Sequence, residues 1–320
     1  MTDRPKILLT RRWPEEVEAH LGERYAVTLR DPDVPMSRAE LQQAMRDHDA
    51  LCPTVTDLID ADILDVEGRR VRFIGNYGVG FAHIDTAACR ALGIRVSNTP
   101  DILTDATANV AITLMLMASR RAGEGERLLR GGQWDGWAPT QLIGSDLEGR
   151  LLGIIGFGRI GQAVAAKARA AFGMRIAFHA RRQPDDVGDA DYFADLDALV
   201  AAADVLSIHV PGGAGTHHLL DHRRLTLMKP GAILINTARG TIVDEAALAE
   251  ALRDGRIAAA GLDVYEREPM IEPGLVALEN VVLLPHLGSA TRDTRIAMGM
   301  RVARNLDAYF DGRVPPDHVA

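Results

Sequence analysis

The sequence predicts an α/β protein built from two parallel-sheet domains, one of them assembled from both ends of the chain. Short β-type runs alternate with helix-spaced stretches along nearly the whole length, the alternation is interrupted around residues 131–149, and a last helical segment remains after the second set of strands is complete. The 320 residues suit two domains rather than one small module. A composition that is 47% hydrophobic and 25% charged excludes a disordered chain.

In the first part, KILLT (6–10), YAVTL (25–29), DALCPT (49–54), VRFIGN (71–76) and RVSN (95–98) read as strands. Helical spacing over 38–46, behind Ser37 as N-cap, and over 86–92, closed by Gly93, makes these βαβ units and their sheet parallel. A long helix opens near Asp101 and runs on through Ala106, Val110, Leu114 and Met117 at three- and four-residue spacing. Residues 131–149, rich in Gly and Trp, break the period and read as a linker or extended arm. From Leu151 the strands LLGIIG, RIAFHA, ADVLSIHV, GAILINTA, AAGLDV and VVLL follow, with helices such as 244–254 before Gly255. Residues 291–310 form one further helix. Because the first sheet needs helices on both faces, this helix is expected to return to it. One domain is then discontinuous, 1–98 with 288–320, around a second domain over 99–287.

The 36 basic residues against 44 acidic ones leave a net charge of −8, so no overall basic field exists to hold a nucleic acid. Cys52 and Cys89 stand outside any CxxC pairing, which suits a reducing compartment. The apolar run at 7–9 is too short for a signal peptide, and 106–118 is interrupted by Thr107, Asn109 and Thr113 and falls short of a membrane span. A cytoplasmic protein without a membrane partner is the expectation.

Gly156, Gly158 and Gly161 in GFGRIG follow the apolar strand 151–155 and open an Ala-rich helix. The first permits a tight turn, the second lets the backbone approach a pyrophosphate, and the third allows close helix packing, while the helix N-terminus faces the anion. With a second strand after the helix, this is the context of a Rossmann-like dinucleotide site. About 20 residues on, an NAD site places a carboxylate on the ribose 2′-hydroxyl. His179, Ala180, Arg181 and Arg182 stand there instead, and the first carboxylate after them is Asp185. Two guanidiniums suit a 2′-phosphate, so NADP(H) is expected ahead of NAD(H).

Arg239, Glu268 and His286 sit just past the ends of successive later strands, where open α/β sheets place their ligands. An Arg fork pairs two carboxylate oxygens, a His moves protons near neutral pH, and a Glu beside it favours the imidazolium and orients the ring. No GxSxG elbow, CxxC or HExxH occurs, so no metal is expected, and His217 and His218 read as structural or surface residues.

GFGRIG, NTARG with Arg239, GLDVYEREP with Asp263 and Glu268, and LLPHLGSAT with His286 together resemble the D-isomer-specific 2-hydroxyacid dehydrogenases. NYGVGFAHID (76–85) and NTPDILTDATAN (98–109) look like that family's substrate loop and interdomain helix, so the resemblance spans nearly the whole chain. Within the family it is most similar to the glyoxylate and hydroxypyruvate reductases, in which a basic tail such as ARRQP goes with NADPH. The resemblance implies a flavodoxin-like substrate domain and NADPH-dependent reduction of small 2-keto acids. Arg239 would hold the substrate's carboxylate and ketone oxygen, His286 would be the acid and base, and Glu268 its partner. Backbone amides at Val79 and Gly80 would anchor the carboxylate. Gly156, Gly158, Arg159, Ile160 and Gly161 would hold the pyrophosphate, Ala180, Arg181 and Arg182 the ribose end, and Thr237, Ala238, Arg239, Asp263, His286 and Gly288 would border the nicotinamide. Family members are dimers clasped through the arm that here carries Trp134 and Trp137, with Gln141 where some relatives have an aromatic residue, and closure of the domains would exclude water. Other 2-hydroxyacid substrates (3-phosphoglycerate, 2-ketogluconate, phenylpyruvate), phosphite, and a non-catalytic dinucleotide sensor are the alternatives. A 320-residue chain leaves no room for the regulatory domain many 3-phosphoglycerate enzymes carry, Glu268 disfavours a formate dehydrogenase, and the intact Arg239, Glu268 and His286 set favours catalysis over sensing.

Overall fold

A computed structural model describes residues 4–183 and 187–320; Asp185 lies outside the described residues. In chain order the elements are β1 (Lys6–Leu9), α1 (Glu15–Arg24), β2 (Ala26–Leu29), α2 (Arg38–Asp47), β3 (Ala50–Cys52), α3 (Ala61–Leu64), β4 (Phe73–Gly75), α4 (Thr86–Ala91), β5 (Arg95–Ser97), α5 (Thr104–Ser119) and α6 (Ala122–Arg130). They continue with β6 (Leu151–Ile155), α7 (Arg159–Phe172), β7 (Arg175–His179), β8 (Asp191–Tyr192), α8 (Leu196–Ala202), β9 (Val205–Ile208), α9 (His222–Leu225), β10 (Ile233–Asn236), α10 (Glu245–Arg253), β11 (Ala259–Leu262), α11 (Pro273–Val276), β12 (Val281–Leu283) and α12 (Arg292–Phe310). The chain divides into two units, Met1–Leu103 with Ala290–Ala320, and Thr104–Ser289. The first border falls later than 98/99 because the backbone turns at Asp101 (φ 71°) and α5 begins only at Thr104, not near Asp101.

The first unit holds a parallel five-stranded sheet in the order β2-β1-β3-β4-β5, the flavodoxin-type winding. Helix α2 starts at a capping box in which the Ser37 side chain and Glu40 satisfy each other's backbone N–H groups. Helix α12 does return to this unit: a Cβ on Gly75 would lie 2.7 Å from Val302 and one on Gly299 2.6 Å from Val17, so bare glycines permit close packing on β4 and on α1. Beyond α12 the tail pairs with β5, as the Val96 N–H donates to Ala320 O (2.7 Å) and the Val319 N–H to Val96 O (2.8 Å).

The second unit holds a parallel seven-stranded sheet in the order β12-β11-β10-β9-β6-β7-β8. This is the doubly wound nucleotide-binding order with an added edge strand, and the winding reverses between β6 and β9, where such sheets bind ligands. Leu152, Ile154, Phe178, Leu206 and Leu234 are fully buried from both faces of the sheet, which is why the strands read as apolar runs. The long helix is continuous through Met117 but ends at Ser119: the backbone turns at Arg121, whose φ of 53° is left-handed, and α6, which follows, buries none of its residues. Among the described residues no helix is long and apolar enough to cross a membrane.

Candidate active site

The loop between β6 and α7 assigns a separate task to each glycine. Gly156 has φ 94°, and a Cβ there would press within 2.7 Å of the His209 backbone, so the turn and the close approach both exclude a side chain. At Gly161 a Cβ would meet Gly156 O at 2.3 Å, which seats α7 directly on the turn. At Gly158 a Cβ would meet nothing within 4 Å. That open space lies at the N-cap of α7, where no side chain caps the helix, so the first turn containing Arg159, Ile160 and Gly161 presents N–H groups and the positive end of the helix dipole. Ala180, Arg181 and Arg182 follow β7. Both arginines are exposed, and among the described residues neither has a carboxylate within 4.0 Å.

At the end of β10, the Asn236 side chain closes a turn by accepting the Ala238 N–H (3.0 Å) and donating to Arg239 O (2.9 Å). Thr237 is buried on this turn, and its Oγ1 has no hydrogen-bond partner among the described residues. The Arg239 guanidinium donates from Nη1 to Ala238 O (2.6 Å) and has no carboxylate within 4.0 Å among the described residues. Burial lowers its pKa and the Glu268 charge partly offsets this, leaving a half-buried cation with most of its donors unused among the described residues. The next residue accounts for the reach of that charge: a Cβ on Gly240 would lie 1.8 Å from the Tyr265 carbonyl carbon, so the loops after β10 and β11 cross backbone to backbone and carry Arg239 and Glu268 into one region without a direct contact.

Glu268 and His286 are paired. His286 Nδ1 lies 2.8 Å from Glu268 Oε2, each side chain is 33% exposed, and Glu268 Oε1 accepts the Tyr265 N–H at 3.0 Å. Burial raises the Glu268 pKa, but the hydrogen bond and charge of His286, the Tyr265 N–H and the Arg239 charge outweigh it and hold the carboxyl below its ordinary value. With Nδ1 committed, Nε2 is the nitrogen left for chemistry. His286 has φ 55°, and its N–H bonds to Asp263 O (3.0 Å) and Leu284 O (3.1 Å). The Asp263 carboxylate holds this conformation, accepting the Leu287 N–H (2.6 Å) and the Gly288 N–H (2.8 Å), while Thr107 Oγ1 donates to Gly288 O (3.1 Å). Asp263 is buried and both its oxygens are engaged, so in the structure it clamps the loop that carries His286.

Val79 and Gly80 lie in the first unit, on the loop after β4. Sequence reasoning missed three features of the second unit. Gly212 makes room for Arg239, since a Cβ there would meet Arg239 Cγ at 2.9 Å; the PGG run at 211–213 was its only signal. Burial pushes the His209 imidazole, bonded to Ser207 Oγ, down to about 4. His217, His218 and Glu266 bring three potential metal ligands within 4.8 Å of one another, with His218 Nε2 already 2.9 Å from Glu266 Oε1.

Residues 112–288 match the family described as D-isomer specific 2-hydroxyacid dehydrogenase, NAD binding domain. Over 319 residues, 98% of this chain and 95% of the other, the sequence is 43% identical to a glyoxylate reductase of Thermococcus onnurineus (strain NA1). Among solved structures, a protein from Thermus thermophilus superposes with a TM-score of 0.92 at 44% identity, over 98% of this chain and 100% of that one. An NADPH-dependent glyoxylate/hydroxypyruvate reductase from Sinorhizobium meliloti, in complex with NADP and malonate, superposes with a TM-score of 0.89 at 35% identity, over 99% and 97%.

Proposed function

The chain belongs to the D-isomer-specific 2-hydroxyacid dehydrogenases, NAD(P)-dependent oxidoreductases, and on that premise we propose that it reduces small 2-keto acids, glyoxylate and hydroxypyruvate foremost, with NADPH. The observation that carries this reading is the Glu268–His286 pair, which leaves Nε2 as the proton donor within reach of the charge field of Arg239, a half-buried cation without a counter-ion among the described residues. The unneutralised guanidinium suits a 2-keto carboxylate through paired hydrogen bonds. Protonated His286 donates from Nε2 to the ketone oxygen as it gains negative charge, Glu268 stabilises and orients the imidazolium, and the Arg239 cation stabilises the same developing charge. In oxidation the neutral Nε2 takes the proton back. The Val79 and Gly80 N–H groups are assigned to the substrate carboxylate.

The fit to a dinucleotide rests on the open space at Gly158, the uncapped start of α7 and the orphaned Thr237 hydroxyl. When bound, the nicotinamide supplies the hydride. Arg181 and Arg182 select the phosphorylated form, since a solvent-facing pair of guanidiniums matches a 2′-phosphate. Their replacement by neutral residues is expected to raise KM for NADPH far more than KM for NADH; equal effects on both in steady-state kinetics would remove the NADPH assignment.

The reading includes a homodimer. Leu129, Trp134, Trp137 and Ile143 are 59%, 51%, 80% and 63% exposed, an apolar set that a second copy of the arm would cover. Two buried, unpaired cysteines accord with a cytoplasmic setting.

A further inference from the structure

The loop after β4 has its carbonyls turned one way and its amides another. Gly78 O accepts Asn76 Nδ2 (2.9 Å) and the Thr99 N–H (3.1 Å), Val79 O accepts Asn98 Nδ2 (2.9 Å), and Gly80 O accepts Asn76 Nδ2 (3.1 Å). Three successive acceptors are thereby neutralised by the protein itself. The N–H groups of Val79 and Gly80, both half-buried, have no acceptor among the described residues. Consecutive amides freed in this way form a concave seat for an anion, provided no carbonyl swings into it.

Asn76 is what prevents that swing. It is fully buried, and both its amide hydrogens go to the carbonyls two and four residues ahead. An amide rotated by half a turn would set its oxygen against those two carbonyls, repelling them toward the seat. Asn76 Oδ1 lies 3.0 Å from His83 Nε2, and since Oδ1 can only accept, His83 carries its proton on Nε2 and locks the amide in the working orientation. We propose that Asn76, locked by His83, is a positioning residue that keeps the Val79 and Gly80 N–H groups available for the substrate carboxylate. This rests on the reading above that the loop receives that carboxylate. Neither side chain is asked to touch the reacting atoms, so the cost of disturbing them falls on substrate binding.

The test measures KM and kcat for glyoxylate, KM for NADPH, and calorimetric binding of oxalate to the NADPH-saturated enzyme. Oxalate probes the same seat without turnover. His83→Ala is expected to raise KM for glyoxylate and weaken oxalate about tenfold, the effect of losing one buried hydrogen bond, with kcat and KM for NADPH unchanged. His83→Gln, which can still donate to Oδ1, is expected to restore both. Asn76→Asp, which can no longer donate to the carbonyls, is expected to cost about a hundredfold in both. Wild-type KM and oxalate affinity in His83→Ala, or an equal loss in His83→Gln, would overturn the role. Val79→Pro separates the layers: if it leaves oxalate binding intact, the carboxylate reading of the loop falls and the positioning role with it. If it weakens oxalate while the Asn76 and His83 variants do not, only the positioning role falls.

Discussion

His286 stands in a backbone conformation that few side chains adopt readily, and the Asp263 carboxylate, the Glu268 carboxylate and Thr107 hold it and its loop there. His286→Ala is expected to lower kcat by about two to four powers of ten, the worth of general acid catalysis, while NADPH affinity measured by fluorescence titration stays near wild type. The direction of the Glu268 shift sets a pH window. A carboxylate whose folded pKa is depressed contributes above its unfolded value, about 4.3, and loses that contribution only as pH falls through the lower folded value. Glu268 therefore stays ionised throughout the neutral range. In Glu268→Gln the imidazolium loses its counter-charge and its orienting acceptor, and kcat/KM for 2-keto acid reduction at neutral pH is expected to fall. Arg239, Glu268 and His286 are legible in the sequence because each follows an apolar strand in a fixed order. The clamp by Asp263 is not, because it joins a strand end to backbone amides of Leu287 and Gly288 more than twenty residues later. The same holds for Asn76, whose partners are mostly carbonyls and carry no side-chain signature.

Helix α7 and its glycine turn show how one motif divides into folding and binding. Gly161→Ala brings a methyl against Gly156 O, and a loss of about 1–3 kcal/mol in stability is expected from overpacking, read as a lower melting temperature. Gly158→Ala meets open space, so the fold should melt as wild type while NADPH affinity falls because the methyl occupies the approach of the pyrophosphate. The reverse pattern would detach the turn from dinucleotide binding. Elements such as these were readable because apolar runs and glycine spacing report burial and close approach directly. The break between α5 and α6 was not, since Arg121 in a left-handed conformation leaves no mark in composition. Strand β8, two residues long, is likewise set by pairing with β7 and not by its own residues.

At the scale of the molecule, two parallel sheets and the return of α12 to the first unit follow from counting strands and asking which sheet still lacks a covering helix. The tail on β5 escaped that count. It is anchored by the ion pair of Arg301 with the buried Asp317 (2.6 Å), to which Asn305 also donates (2.8 Å), contacts that only the assembled unit creates. The exposed arm predicts self-association: sedimentation of the wild type should give a dimer, and Trp137→Asp should shift it toward monomer. The central claim is chemical, and steady-state oxidation of NADPH and NADH with a panel of glyoxylate, hydroxypyruvate, pyruvate, phenylpyruvate and 2-ketogluconate tests it most directly. Turnover of glyoxylate or hydroxypyruvate with the highest kcat/KM of the panel, and with NADPH preferred over NADH, is the predicted result. Tight NADPH binding without oxidation by any 2-keto acid of the panel would contradict it.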